Sequence, residues 1–182
     1  MNEALEFYEN SKNIWSISGY TPTLECLKDY NQDIYLSLRA SSWGWATWKN
    51  RWEKIDWEIK DWNSFRSDEK AIQTFNKGGN DLFNMLEAQM LGKIDSWAIR
   101  WCYSQFKNNA FTIYPRESKL VNTGFDEKGT HNSNGEERWS TTLSNKVVKF
   151  ENVIVNETIV DCFAKKYELQ FKTKIGYVLK KY

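Results

Sequence analysis

Asp95, Arg100, His131 and the corner Trp43-Gly44-Trp45 carry most of the chemistry this chain can offer. Asp95 heads an apolar-periodic stretch. A carboxylate there can accept the free N–H groups of a helix's first turn. It can equally take the proton of a substrate hydroxyl as a general base. Both jobs need the ionised form, which a helix N-terminus favours. Arg100, one turn on, can pair with an acid or a phosphate. Asp81 reads as a first-turn residue favoured by the helix dipole. His131 is the single histidine and sits in a polar stretch; one imidazole is not a metal site. Within Ser41–Trp52, Gly44 lies between two indoles, which suits a positive φ or a close backbone approach. Trp43 and Trp45 on such a corner form either a packing knot or a stacking platform. Indole is a broad apolar plate that fills cores and also lies against the C–H faces of sugar rings.

Residues 2–10 read as a helix with Asn2 as its N-cap. Residues 13–18, 34–38 and 111–114 are rich in strand formers, and Pro115 stops the last. Trp45, Trp48 and Trp52, at i, i+3 and i+7, predict a helix that begins close to the Gly44 corner. Asn80 to Leu91 is a clearer helix: Asn80 can cap it, Phe83, Leu86 and Met90 share a face, and Gly92 sits where a helix-ending glycine belongs. Asp95 to Phe106 predicts another, with Asp95 as N-cap and Trp97, Trp101 and Phe106 inward. Asn122 to Asn145 is polar and reads as a long loop. Helical periodicity returns at Glu157, with Ile159, Val160, Phe163 and Tyr167 on one side. The expectation is a mixed α/β fold, a small sheet covered by the helices near 80–91 and 95–107. No repeat or second core appears, so residues 1–182 form one domain: residues 1–135 hold the motifs, and 136–182 are a helical, lysine-rich extension.

Composition narrows the classes. The 25 basic and 24 acidic side chains nearly cancel, so the basic excess of a nucleic-acid binder is missing. No apolar run reaches bilayer length, and the first residues lack a basic region followed by an apolar one, so the expected location is the cytoplasm. Cys26, Cys102 and Cys162 are odd in number and widely spaced, fitting neither a disulfide framework nor a zinc site. The lysine-rich tail from Lys165 could lie on an anionic membrane surface at the inner face, or simply be solvated.

The order of motifs resembles bacterial family-2-type glycosyltransferases, a group that includes proteins called sugar transferases or hemolysin-like. The matching pieces are Ser16-Ile17-Ser18-Gly19-Tyr20, Ser41 through Trp52, Asp95 through Trp101, Tyr114 through Gly124, and Asp126 through His131. A more distant likeness is to N-acetylglucosaminyltransferases of the GT-A fold. The resemblance covers roughly residues 1–135. It implies the acceptor-side half of a GT-A nucleotide-diphospho-sugar transferase fold. The activity it implies is transfer of a sugar, with inversion, from a nucleotide-sugar donor to a glycan or lipid-linked acceptor in surface polysaccharide biosynthesis. Asp95 is then the general base, Trp43, Gly44, Trp45 and Arg100 contact the acceptor, and His131 meets the donor diphosphate or the metal. The resemblance also implies a divalent metal, Mn or Mg, in the full-length enzyme, and none bound to this chain alone. The half that grips the nucleotide, which ends in an Asp-x-Asp motif, is expected outside this sequence. Its docking side on the sheet is then an apolar patch open to a second copy, as a homodimer. The rival readings are a carbohydrate-binding module without chemistry and a membrane-active, hemolysin-like protein.

Overall fold

The computed structural model describes residues 1–121 and 139–167. His131 and the rest of 122–138, and the tail beyond Tyr167, lie outside the described residues. The elements in chain order are α1 (Asn2–Tyr8), β1 (Ile14–Ser18), β2 (Ile34–Ser37), β3 (Trp45–Thr47), α2 (Lys49–Trp52), α3 (Trp62–Phe65), α4 (Glu69–Phe75), α5 (Leu82–Met90), α6 (Trp97–Lys107), β4 (Phe111–Pro115) and α7 (Glu157–Lys166). Short 3₁₀ turns occupy Glu25–Leu27 and Asn76–Gly78. The fold is mixed α/β, with one four-stranded mixed sheet in the order β2-β4-β1-β3. β1 runs parallel to β4, while β2–β4 and β1–β3 are antiparallel. Three of the four strands stand where the runs of strand formers predict them.

Alternation along the strands sends side chains to two faces. Ile17, Ile34, Leu36 and Ile113 face one side, where Ala4 and Tyr8 of α1 pack. Ile14 joins them despite its odd spacing from Ile17, because the β1–β4 register shifts between Ile14 and Ser16. Tyr35 and Tyr114 face the other side, stacked at 5.4 Å, and Phe163 of α7 packs against both. On that side a buried polar chain crosses the sheet. The Ser16 and Thr112 hydroxyls lie 2.7 Å apart, and Thr112 donates to Gln105 Oε1 of α6 at 3.0 Å. Since Thr112 spends its proton on Gln105, Ser16 must be the donor to Thr112.

Trp139 leads into a strap, residues 140–156, that runs without regular structure and covers the α1 face. Val148, Phe150, Val153 and Val155 pack inward, while Val147 and Ile154 are 90% and 86% exposed. The Tyr8 hydroxyl donates to the Glu151 carbonyl, at 2.5 Å, and receives the Glu151 N–H. Among the described residues, this face of the sheet is covered by α1 and the strap. Among the described residues, no helix is long and apolar enough to cross a membrane.

Several local expectations need correction. The Trp45–Trp52 pattern is not one helix: residues 45–47 pair with Ser16–Ser18 as β3, and helix starts only at Lys49. Backbone pairing to an open sheet edge outweighs the helical spacing. Met1, not Asn2, occupies the N-cap position of α1. α5 starts at Leu82 after Asp81, and its Phe83 N–H is capped by Asn76 Oδ1 at 2.9 Å, seven residues upstream. Its C-terminus is as expected: Gly92 has φ +67°, and Lys93 N–H returns to the Ala88 carbonyl, closing a Schellman motif. Ser96, not Asp95, caps α6, its Oγ accepting the Ile99 N–H at 3.4 Å. The serine stands one residue nearer the first turn, and the carboxylate is released from capping.

Candidate functional site

The site is built where the α5–α6 corner meets the Gly44 corner. Gln89, near the end of α5, accepts the Ser96 N–H on its Oε1 at 2.5 Å and fixes the entry to α6. Asp95 stands just outside that anchor with its side chain 98% exposed. Its Oδ1 lies 3.5 Å from the Arg100 guanidinium. Arg100 also donates to the Trp57 carbonyl at 3.3 Å and sits over the Trp57 ring. Its buried Nε has no partner. Arg100 is thus a structural brace that also orients the carboxylate.

Beside Asp95 rises an aromatic wall. Trp97 stacks on Trp45, with centroids 5.0 Å apart and planes at 26°. Trp52 stacks on Trp101 at 5.8 Å and the same angle. Trp101 is buried and anchors the group, its indole N–H without a partner. Trp97 and Trp52 remain 38% and 40% exposed, so the wall presents ring surface to solvent.

Gly44 sets the other corner. It has φ +52°, a conformation that side chains rarely take, and its carbonyl accepts the Gly19 N–H at 2.7 Å. A Cβ built on it would stand 1.8 Å from Leu120 Cδ2. This left-handed step parts the two indoles. Trp45 turns to the wall, whereas Trp43 turns to Tyr20, edge-on at 4.8 Å, and to Trp139 at 6.1 Å. The expected single platform of Trp43 and Trp45 is therefore two surfaces. Trp43 lines a cleft of about 320 Å³ with Ser96, Trp139 and Tyr167, and Arg39 lies in its lining. Ser96 belongs to the cleft and its neighbour Trp97 to the wall, with Asp95 preceding both.

Beneath the cleft lies the feature least visible in the sequence. Arg39 and Asp81 form a buried two-point ion pair at 2.6 and 2.9 Å. Asp81 is thus an ion-pair partner, not a simple dipole residue. Burial works against the Arg39 charge, but Asp81 outweighs it and holds the guanidinium firmly protonated. Its flat face is covered by the Tyr167 ring at 3.7 Å. Trp139, Tyr167 and Ser96 line the cleft and Trp97 the wall of this candidate site, and no local pattern marks them for it. Tyr167 shares the apolar side of its helix with Ile159, Val160 and Phe163, so its spacing alone does not set it apart. Trp139 sits in the polar stretch 122–145, whose composition predicts a loop.

Among the described residues, no group of three or more His, Cys, Asp or Glu could hold a metal ion. Asp95 has an arginine beside it, not a second acid, so the described residues do not fit a Mn or Mg site, and no step is routed through one. The geometry offers an exposed carboxylate, a stacking wall and an aromatic cleft around one helix start. No family model, curated protein or solved structure matches this chain, so its reading rests on that geometry and on the motifs.

Proposed function

We propose that the chain is the acceptor-side part of an inverting glycosyltransferase of the GT-A class. It would help move a sugar from a nucleotide-sugar donor to a glycan or lipid-linked acceptor in surface polysaccharide assembly. One observation carries the reading: Asp95 is exposed and freed from capping by Ser96, beside the stacked Trp45–Trp97 wall. The mixed sheet with helices on its faces is compatible with that class.

The geometry supports the following roles. A sugar ring laid on the wall or in the cleft brings a hydroxyl towards Asp95. The carboxylate takes the hydroxyl proton as the oxygen attacks the donor's anomeric carbon. The bond to the diphosphate breaks, and the nucleoside diphosphate leaves with the electron pair. Arg100 keeps the carboxylate in place for that transfer, and the aromatic faces orient the ring. His131 remains the proposed contact to the donor diphosphate or metal.

The test uses the full-length gene product with a panel of nucleotide sugars and glycan acceptors, following release of nucleoside diphosphate. Asp95→Asn should lower turnover by about 100-fold or more, the usual range for a lost general base. Donor affinity should be unchanged, because the amide keeps the shape. Normal turnover in Asp95→Asn overturns the assignment. The exposed faces of Trp52 and Trp97 also favour a second reading, a carbohydrate-binding module. Sugar binding with no turnover in the wild type would select it.

A further inference from the structure

The cleft beside Asp95 is closed by residues from outside the motif region, Trp139 at the head of the strap and Tyr167 at the end of α7. We propose that this cleft seats one neutral sugar ring of the acceptor, and that the C-terminal segment thereby selects which sugar the site accepts. The inference rests on the transferase reading for the word acceptor, but not for the binding itself.

Three features point to that ligand. The first is the lining. Trp43, Trp139 and Tyr167 are half-buried and bring aromatic surface, while Ser41, Ser42 and Ser96 bring hydroxyls. A pocket of apolar walls with few placed polar groups orients a ligand that has both kinds of surface. A pyranose ring has C–H faces and a rim of hydroxyls. The second is charge. Arg39 is the cation in the lining, and Asp81 answers it at two points while Tyr167 covers its face. Among the described residues, an anionic ligand would find no unanswered cation there, and a neutral one suffers no penalty. The third is the donors. Ser41 Oγ accepts the Trp43 N–H, and Ser96 Oγ accepts the Ile99 N–H, so each hydroxyl still has its own proton to give. A ring bonded to Ser96 lies one residue from Asp95.

The walls are also fixed from behind. The Tyr20 hydroxyl donates to the Trp139 carbonyl at 2.9 Å, and Trp139 packs on Tyr167 at 4.9 Å. The strap therefore presents Trp139 as a positioned surface. A site that hydrogen-bonds hydroxyls discriminates strongly among isomers, since a wrong epimer leaves polar groups unpaired.

The test titrates methyl glycosides of glucose, galactose, mannose, N-acetylglucosamine and rhamnose into the chain, read by calorimetry and by shifts of the indole N–H signals. At least one glycoside should bind saturably. Trp139→Ala should weaken it about tenfold or more. Ser42→Phe, which fills the mouth from an exposed position, should do the same without opening the packing. Val147→Ala, on the outer side of the strap, should leave binding unchanged. Circular dichroism checks that each variant is folded, and Ser42→Phe decides the matter if Trp139→Ala is not. Binding by none of the glycosides, or binding indifferent to both substitutions, overturns the inference. The two readings fail separately. If Asp95→Asn retains turnover while Trp139→Ala and Ser42→Phe lose glycoside, the transferase assignment falls and the cleft stands. If Asp95→Asn abolishes turnover while the cleft variants bind normally, the reverse holds.

Discussion

Gly44 has no room for a side chain. Its φ of +52° costs an L-residue about 1–2 kcal/mol, and an added Cβ would collide with Leu120 at 1.8 Å. Gly44→Ala should therefore lower stability by about 2 kcal/mol or more, read from the urea midpoint. Adding Leu120→Ala should remove the collision but not the backbone cost, so only part of the loss returns. Full recovery would mean that the backbone conformation is not the constraint. The sequence marks this corner as special, because a glycine between two indoles is informative by itself. It does not say which way the indoles go, since that depends on the strand pairing of residues 45–47 with β1. Asp95 and Ser96 show the same limit. Both residue types cap helices well, and only the packing of α6 decides which one is freed from capping. Arg39 and Asp81 are 42 positions apart, and no local pattern links them.

At the level of elements, the strands and the helices near residues 82, 97 and 157 are readable because their apolar periodicity is local. The strap is not. Its polar beginning hides the alternation at 147–155, which has no paired strand and takes its meaning from the α1 face it covers. One tie of the strap can be tested by pH. Glu117, just after β4, accepts from Lys146 on Oε1 and from the Ser144 hydroxyl on Oε2, both at 2.6 Å. Lys146, helped by Ser144, holds its carboxyl down at about 2. A carboxyl depressed in the folded state stabilises above its ordinary value of about 4.3. That contribution is lost as pH falls through about 2. The melting temperature of wild type should thus exceed that of Glu117→Gln at pH 6, and the gap should close towards pH 2. Because Lys146 is largely exposed, the gap should be small and shrink in high salt. Curves that stay parallel from pH 6 to pH 2 would show that this tie contributes nothing.

Across the whole molecule, Arg39 joins parts that are far apart in sequence. It follows β2, pairs with Asp81 at the start of α5, and lies under Tyr167 at the end of α7. Removing one member strands a buried charge. Asp81→Ala should cost about 3–5 kcal/mol in chemical denaturation. Arg39→Met combined with Asp81→Leu should recover most of that loss, because no charge is then left unanswered. A double variant as weak as the single one would mean that the pair is needed for something beyond charge balance. In the double variant Tyr167 would also lose the cation beneath it, so that variant should disturb the cleft that this ring walls.

The position of β4 in the sheet has a consequence for synthesis. β4 lies between β2 and β1, so until residue 115 is made β2 has no strand partner and β1 has only β3. The face of α1 waits longer, since Tyr8 bonds to Glu151, 143 positions on. During translation the emerging chain thus holds its two earliest strands apart. The sheet can close only when its middle strand leaves the ribosome, which makes that moment, and not the birth of any single helix, the committing step of the fold.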